Sequence, residues 1–315
     1  MKIIADLHTH TQYSNGKGTV LDNVTAAMAR GLKVVAITDH GPGSARWVRA
    51  RLSDFRDLRR EVSSIDRRAE DMRVLAGVEC NVISPRGDLD MPGEALSQLD
   101  IVLAGFHPFV RPANPRDWLH LSGPNVAALL SPSWGRRARV YNTGTLVAAV
   151  YMNEIDIITH PGFHVDIDTT ELAKACAARD TALEINARHR EMTAEYCRLA
   201  AKQGVRFVIS SDAHAPADVG VFGNALAVAK AAGIEPEQVV NSDVGGLFAW
   251  LERRKWRRAD ASAWTDWAEQ KPLDRTGEGA EEPEDEEERP PRGRGGRTER
   301  QESYWTDWSR QGKVH

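Results

Sequence analysis

The sequence predicts an α/β protein whose strands close into a β/α barrel. Three observations carry that expectation. Seven short apolar runs recur along the first 250 residues, helical patterns separate them, and six of the seven runs end in a histidine or an acidic residue. The runs are Lys2–Leu7, Lys33–Thr38, Arg73–Val78, Asp100–Gly105, Glu154–Thr159, Ala182–Asn186 and Arg206–Ser210. Each is rich in Val, Ile, Leu and Ala with little alternation, as expected of parallel strands covered on both faces. Segments with helical spacing lie between them: Leu21–Arg30, Phe55–Arg68, Thr170–Arg179 and Met192–Gln203. Gly31 and Gly204, directly after or within a residue of two of these, are suited to helix stops. Such strand–helix alternation favours a barrel over a sandwich.

Residues 111–150 break the rhythm with Pro112, Pro115, Pro124 and Pro132. They read as an insertion after the fourth strand, helical over Asn125–Leu130 and Thr145–Met152. From the carboxyl end of a barrel strand it would lie over the mouth. The domain thus spans 1–250, followed by a helix and linker over 251–277 and a disordered charged tail over 278–315. The tail is too poor in apolar residues to form a core. Its charged stretch 278–300 is flanked by a repeated motif, Trp264-Thr265-Asp266-Trp267 and Trp305-Thr306-Asp307-Trp308, which would suit docking to a protein partner. Arg253, Arg254, Lys255, Arg257 and Arg258 read as a solvated face of the last helix.

The 315 residues carry a formal charge of −4, so no global basic field points to nucleic acid. Cys80, Cys176 and Cys197 lack any CxxC spacing and read as buried thiols in a reducing compartment. No apolar run reaches the roughly 18 residues of a membrane span, and the amino terminus lacks a signal-peptide core, so the expected location is the cytoplasm.

The strand ends hold the chemistry. His8 and His10 follow strand one at i and i+2, which points both rings to one side of an extended segment. His40 ends strand two, Glu79 strand three, His107 strand four and His160 strand five, and Asp212 and His214 follow strand seven. In a β/α barrel these ends share one rim. Eight such groups in one place call for cations between them. Imidazole and carboxylate donors suit zinc, manganese or iron(II), and they outnumber the needs of one ion. His120, His189 and His315 read as structural or solvated, and His164 as a residue of the mouth.

The ordered motifs Asp6-Leu7-His8-Thr9-His10, Ile37-Thr38-Asp39-His40-Gly41-Pro42, Gly77-Val78-Glu79-Cys80-Asn81, Ala104-Gly105-Phe106-His107, Ile158-Thr159-His160-Pro161-Gly162, Leu183-Glu184-Ile185-Asn186 and Ser211-Asp212-Ala213-His214 resemble the PHP (polymerase and histidinol phosphatase) family of metal-dependent phosphoesterases. The likeness is greatest to its stand-alone phosphatases with a trinuclear centre. The resemblance implies a distorted (β/α)7 TIM-like barrel and two to three divalent ions. It assigns His8, His10, Glu79 and Asp212 to one metal, bridges Glu79 to a second held by His107 and His160, and gives a third to His40 and His214. Relatives add a histidine near the position of Asn15, where an amide would weaken the third site.

The implied activity is hydrolysis of phosphate monoesters, of a small metabolite or nucleotide, by a metal-activated hydroxide. His107 and Asp212 would serve this step directly, and Asp39 would orient an imidazole or relay a proton, with Glu184 orienting another imidazole. Asn15, Lys17, Arg111 and Arg188 would contact substrate, with Arg190 a further rim cation. One alternative is a phosphodiesterase or exonuclease acting on nucleic-acid ends, with Arg111, Arg116, Arg136, Arg137 and Arg139 of the insertion forming a basic groove. Another is a metal-binding interaction module with reduced catalysis.

Overall fold

A computed structural model describes residues 1–45, 48–107 and 110–259, with side chains to Arg254. Its strands are β1 (Ala5–Asp6), β2 (Val34–Ile37), β3 (Arg73–Asn81), β4 (Ile101–Gly105), β5 (Ile157–Ile158), β6 (Ala182–Asn186) and β7 (Phe207–Ser210). The helices are α1 (Val20–Ala29), α2 (Leu52–Asp66), α3 (Gly93–Ser97), α4 (Pro115–Leu121), α5 (Gly123–Ala128), α6 (Pro132–Met152), α7 (Thr169–Arg179), α8 (Ala194–Ala201), α9 (Gly223–Ala232) and α10 (Val244–Ala259). All adjacent strands pair in parallel and in sequence order, so the sheet is a distorted (β/α)7 TIM-like barrel. The expected strands are all present. The apolar runs at Lys2–Leu7 and Glu154–Thr159 shorten to two-residue ladders, because burial extends beyond the residues whose backbones meet a neighbour.

A seven-stranded barrel leaves a seam between β7 and β1, and buried polar side chains close it. The Asn241 amide donates to the carbonyls of Ala5 (2.8 Å) and Ile209 (2.7 Å), while its oxygen accepts from Ile209 N–H (3.1 Å). Asp6 accepts from Ser211 N–H and Oγ–H and from Gly220 N–H. Higher up, Thr9 and Ala213 form a parallel bridge. The seam is thus hydrogen-bonded without an eighth strand, as buried backbone groups require.

The opposite end is plugged by α10, whose Leu247, Trp250 and Leu251 join a core with Ala5, Leu7, Leu75, Ile101 and Val208. Arg254 continues that stripe one turn on. Its placement corrects the reading of a solvated basic face: Arg254 is 1% exposed and donates to Asp156 Oδ1 (2.9 Å) and to the carbonyls of Arg179 and Ile155. Asp156 also accepts from Val102 N–H (2.7 Å), so the ion pair ties α10 to β4. Arg253 is exposed as expected. The linker after α10, the charged tail and both Trp-Thr-Asp-Trp motifs lie outside the described residues.

The insertion is more helical than its prolines suggest. Pro132 sits in the first turn of α6, where a missing N–H costs nothing. The second half of α6 is buried and serves as the crossover helix between β4 and β5. Of the stretch before it, Arg111 N–H bonds Gly43 O and Ala113 N–H bonds Ile83 O, so the chain crosses the loops after β2 and β3. From α6, Asn142 donates to Asp166 O in the loop before α7 (3.0 Å).

Candidate metal centre

Every expected rim donor reaches the same end of the barrel, and the buried carboxylate of Glu79 lies at the middle. Its Oε2 is 2.8 Å from His40 Nδ1, 3.3 Å from His8 Nε2 and 3.6 Å from His10 Nε2. Its Oε1 is 2.8 Å from His160 Nε2 and 3.7 Å from His107 Nε2. Asp212 Oδ1 lies 3.3 Å from His10 Nε2 and 3.8 Å from His8 Nε2. Three sets of donor atoms are close enough to share an ion: His8 with His10 and Glu79, Glu79 with His107 and His160, and His10 with His40 and His214.

Local backbone features permit this crowding. A Cβ on Gly105 would approach Thr159 Oγ1 to 2.6 Å and His107 Cε1 to 2.9 Å, so only glycine lets the ends of β4 and β5 close together. His160 (φ 26°) and Asp212 (φ 54°) adopt left-handed conformations without being glycine. Such residues cost on the order of 1–3 kcal/mol each and cluster at working sites.

The electrostatics fit cations. Glu79 is wholly buried, which alone would raise its pKa, yet His8 and His40 hold it well below the usual carboxylate range. Burial opposes a proton on His8, but Glu184, Glu79 and Asp212 overcome it and raise its pKa well above normal. Burial lowers His10 strongly and takes His107 down to about 3, leaving both neutral and able to offer lone pairs. Glu79 Oε2, His10 Nδ1, His40 Nδ1 and His160 Nδ1 are buried without a well-formed hydrogen bond. Buried polar atoms are normally satisfied, so these orphans are what a chain shaped around metal ions would show.

The surrounding residues orient the donors. Glu184 accepts from His8 Nδ1 (2.8 Å), from His160 N–H (2.6 Å) and from Asn186 Nδ2 (2.9 Å), as its expected orienting role requires. Asn81 does the same for His107: its amide donates to Asp90 (2.6 Å), so its Oδ1 is left to accept from His107 Nδ1 at 2.8 Å. Asp39, expected to orient an imidazole or relay a proton, hydrogen-bonds no imidazole among the described residues. It accepts from Thr11 N–H (2.8 Å), Thr11 Oγ1 (2.6 Å) and Ser14 Oγ, because the loop after β1 folds back over it.

Of the expected substrate contacts, Asn15, Lys17, Arg111 and Arg188 are all exposed, and Arg190 is too. The third imidazole within reach of His40 and His214 is His10. Lys17 N–H bonds His214 O (2.8 Å), which holds its loop at the rim. Arg188 lies close enough to His214 to help lower its pKa, behind the larger effect of burial. In the insertion, Arg116, Arg136 and Arg137 are exposed, but Arg139 is ion-paired with Asp168 (3.2 Å). His189, expected to be structural or solvated, has its Nε2 3.2 Å from Asp212 Oδ2. It follows β6 by three residues, so the strand-end pattern that marked the other donors also marks it. His120 is exposed and bonds Arg116 O.

Seven parallel strands that converge buried imidazoles and carboxylates on one rim define a β/α-barrel protein with a multi-ion donor site. The chain belongs to the PHP domain family, which matches residues 6–218. It is 32% identical over 265 residues to a probable phosphatase of Thermoanaerobacter sp. (strain X514), covering 81% of this chain and 97% of that protein. It is 33% identical to a probable phosphatase of Shewanella sediminis, covering 82% and 98%. Among solved structures it is similar to histidinol phosphate phosphatase from Lactococcus lactis, crystallised with zinc, L-histidinol and phosphate. That likeness has a TM-score of 0.52 and 18% identity over 73% of this chain and 94% of the other, and it bears on the fold.

Proposed function

We propose that this chain is a metal-dependent phosphatase that hydrolyses phosphate monoesters of small molecules. The observation that carries the reading is Glu79, a fully buried carboxylate with both oxygens turned toward imidazoles from four different strand ends. Full-length relatives described as probable phosphatases support the same reaction class.

His8, His10, Glu79 and Asp212 would hold one ion, Glu79, His107 and His160 a second, and His40 and His214 with His10 a third. When bound, such ions lower the pKa of coordinated water toward about 7 and neutralise phosphoryl oxygens. The protein's share is orientation and charge. Glu184 and Asn81 fix which nitrogen of His8 and His107 faces inward. Arg188 and Lys17, whose loops lie near His214, would meet the anionic phosphoryl group. Asp39 holds the Thr11–Ser14 loop against the rim, a positioning role.

The test is elemental analysis of protein purified without chelator, with turnover of p-nitrophenyl phosphate and bis-p-nitrophenyl phosphate. Two or three ions per chain and a preference for the monoester are expected. A preference for the diester would replace this reading with the phosphodiesterase one. Fewer than two ions and no turnover would leave an interaction module.

A further inference from the structure

Asp90 stands behind the metal centre, where the supports of two donor histidines meet. The chain doubles back after β3 through an antiparallel bridge between Val82 and Leu89, which brings Asp90 opposite Asn81. Asp90 N–H donates to Asn81 O (3.1 Å). In return its Oδ1 accepts from Asn81 N–H (2.9 Å), and its Oδ2 accepts from Asn81 Nδ2 (2.6 Å) and Gly43 N–H (2.8 Å). The Cys80 thiol donates to the same carboxylate. Asp90 thus gathers neutral donors from the end of β3 and from the loop after β2.

The first support runs through Asn81 to His107. A primary amide offers an NH2 at one end and an oxygen at the other, and its shape does not decide which end faces the imidazole. Ser44 Oγ, 2.8 Å from Asn81 Nδ2, does not decide it either, because a hydroxyl gives or accepts. An ionised carboxylate only accepts. Asp90 therefore draws the NH2 end to itself and leaves Oδ1 for His107 Nδ1–H at 2.8 Å. The ring proton is then held on Nδ1, and the lone pair lies on Nε2, the nitrogen 3.7 Å from Glu79 Oε1. A reversed amide would set N–H against Nδ1 and move the ring proton to Nε2, where an ion has to bind.

The second support runs to His40, which leads directly into Gly41-Pro42-Gly43. This loop lies against Asp90. A Cβ on Gly41 would come within 2.5 Å of Asp90 Oδ2, and one on Gly43 within 2.6 Å of Asp90 Cβ, so two residues without side chains allow the approach. Gly41 N–H also bonds Glu79 O (2.9 Å), which keeps the loop at the centre of the site. His8 is oriented separately, by Glu184.

We propose that Asp90 is a positioning residue that couples two donor sets, fixing the His107 tautomer through Asn81 and seating the His40 loop through Gly43. This rests on the reading of His107 and His40 as metal ligands.

The test uses the zinc-loaded full chain, with zinc retention against a weak chelator and 15N NMR of the histidine rings after the zinc is stripped. Asp90→Asn puts an amide where only an acceptor fits. It should weaken zinc held on the His107 and His40 sides by roughly 10- to 100-fold, as loss of outer partners does, while the ion beside His8 stays. The His107 ring should lose its fixed Nδ1–H form. The exchange Asn81→Asp with Asp90→Asn turns a carboxylate toward His107 and an amide donor behind it. That pair should restore the Nδ1–H form and zinc on the His107 side. Unchanged zinc retention and an unchanged His107 tautomer in Asp90→Asn would overturn the proposal. So would losses that the exchange leaves unrepaired, since Asp90 would then only brace the loops. Failure of the unaltered chain to retain zinc, manganese or iron would instead overturn the metal-centre reading, and this proposal with it.

Discussion

His8 sits between Glu184, 2.8 Å from its Nδ1, and Glu79, 3.3 Å from its Nε2, with Asp212 beyond. Burial disfavours its charged form, but these carboxylates raise its pKa well above 6.5, so the metal-free ring keeps both protons at neutral pH. An ion taking Nε2 must displace one of them. Metal uptake should therefore release protons, and apparent affinity should rise with pH, because metal and proton compete for one nitrogen. Titration calorimetry in two buffers of different ionisation enthalpy measures the release directly. Buffer-independent heats would remove His8 from the ligand set. His107 behaves oppositely. Burial takes its pKa down to about 3, so it competes little with protons and depends instead on orientation. Asn81 supplies that orientation through the 2.8 Å contact at Nδ1. Asn81→Leu should weaken metal binding by roughly 10- to 100-fold, as loss of such outer partners does. Unchanged metal content after dialysis against a weak chelator would show that Asn81 has no such role.

At the scale of the element, the strands were readable because each is an apolar run covered on both faces. The donors were readable because they follow those runs directly. What escaped the sequence reading depends on long-range partners. Arg254 stands among four other basic residues, and nothing local separates it from them. The stripe of α10 does separate it, since Leu247, Trp250, Leu251 and Arg254 follow at spacings of three, one and three, on one face. Its burial could be foreseen only by knowing that Asp156 ends below the same barrel. His189 was missed because Ala187 and Arg188 part it from β6 and it lies beyond the Leu183-Glu184-Ile185-Asn186 motif, although the strand-end pattern that marked the other donors reaches it. Arg254→Ala would remove the buried guanidinium that pairs with Asp156 Oδ1 and donates to the Arg179 and Ile155 carbonyls. Removing one partner of a buried pair costs about 3–5 kcal/mol, so the urea midpoint should fall steeply while the metal-binding rim keeps its ligands. A shift below about 1 kcal/mol would mean that α10 is held by Trp250 and its apolar neighbours alone.

For the whole molecule, the seam between β1 and β7 decides how the site and the fold depend on each other. Below the rim the seam is held by Asn241 and by the Asp6–Ser211 hydrogen bonds, at a place where other neighbours share strand ladders. Above it stand His8 and His10 on one side and Asp212 and His214 on the other, with Nε2 of His10 3.3 Å from Asp212 Oδ1. An ion held by both sides would be a clasp across the seam. Ligands that bind only the folded state stabilise it by mass action, by about 4 kcal/mol at a thousandfold excess over Kd. Stripping the ions should therefore lower Tm by several degrees, on the order of 10 °C. The clasp makes a sharper claim about where protection is lost. Local opening exposes amides in cooperative units, so hydrogen exchange on chelation should speed up most in β1, β7 and the Val239–Ser242 segment. The β3–β4 ladder, paired over five residue positions, should keep most of its protection. Uniform acceleration across all seven strands would show that the ions stabilise the barrel as one unit. No acceleration at the seam would place the ions elsewhere than between His10 and Asp212.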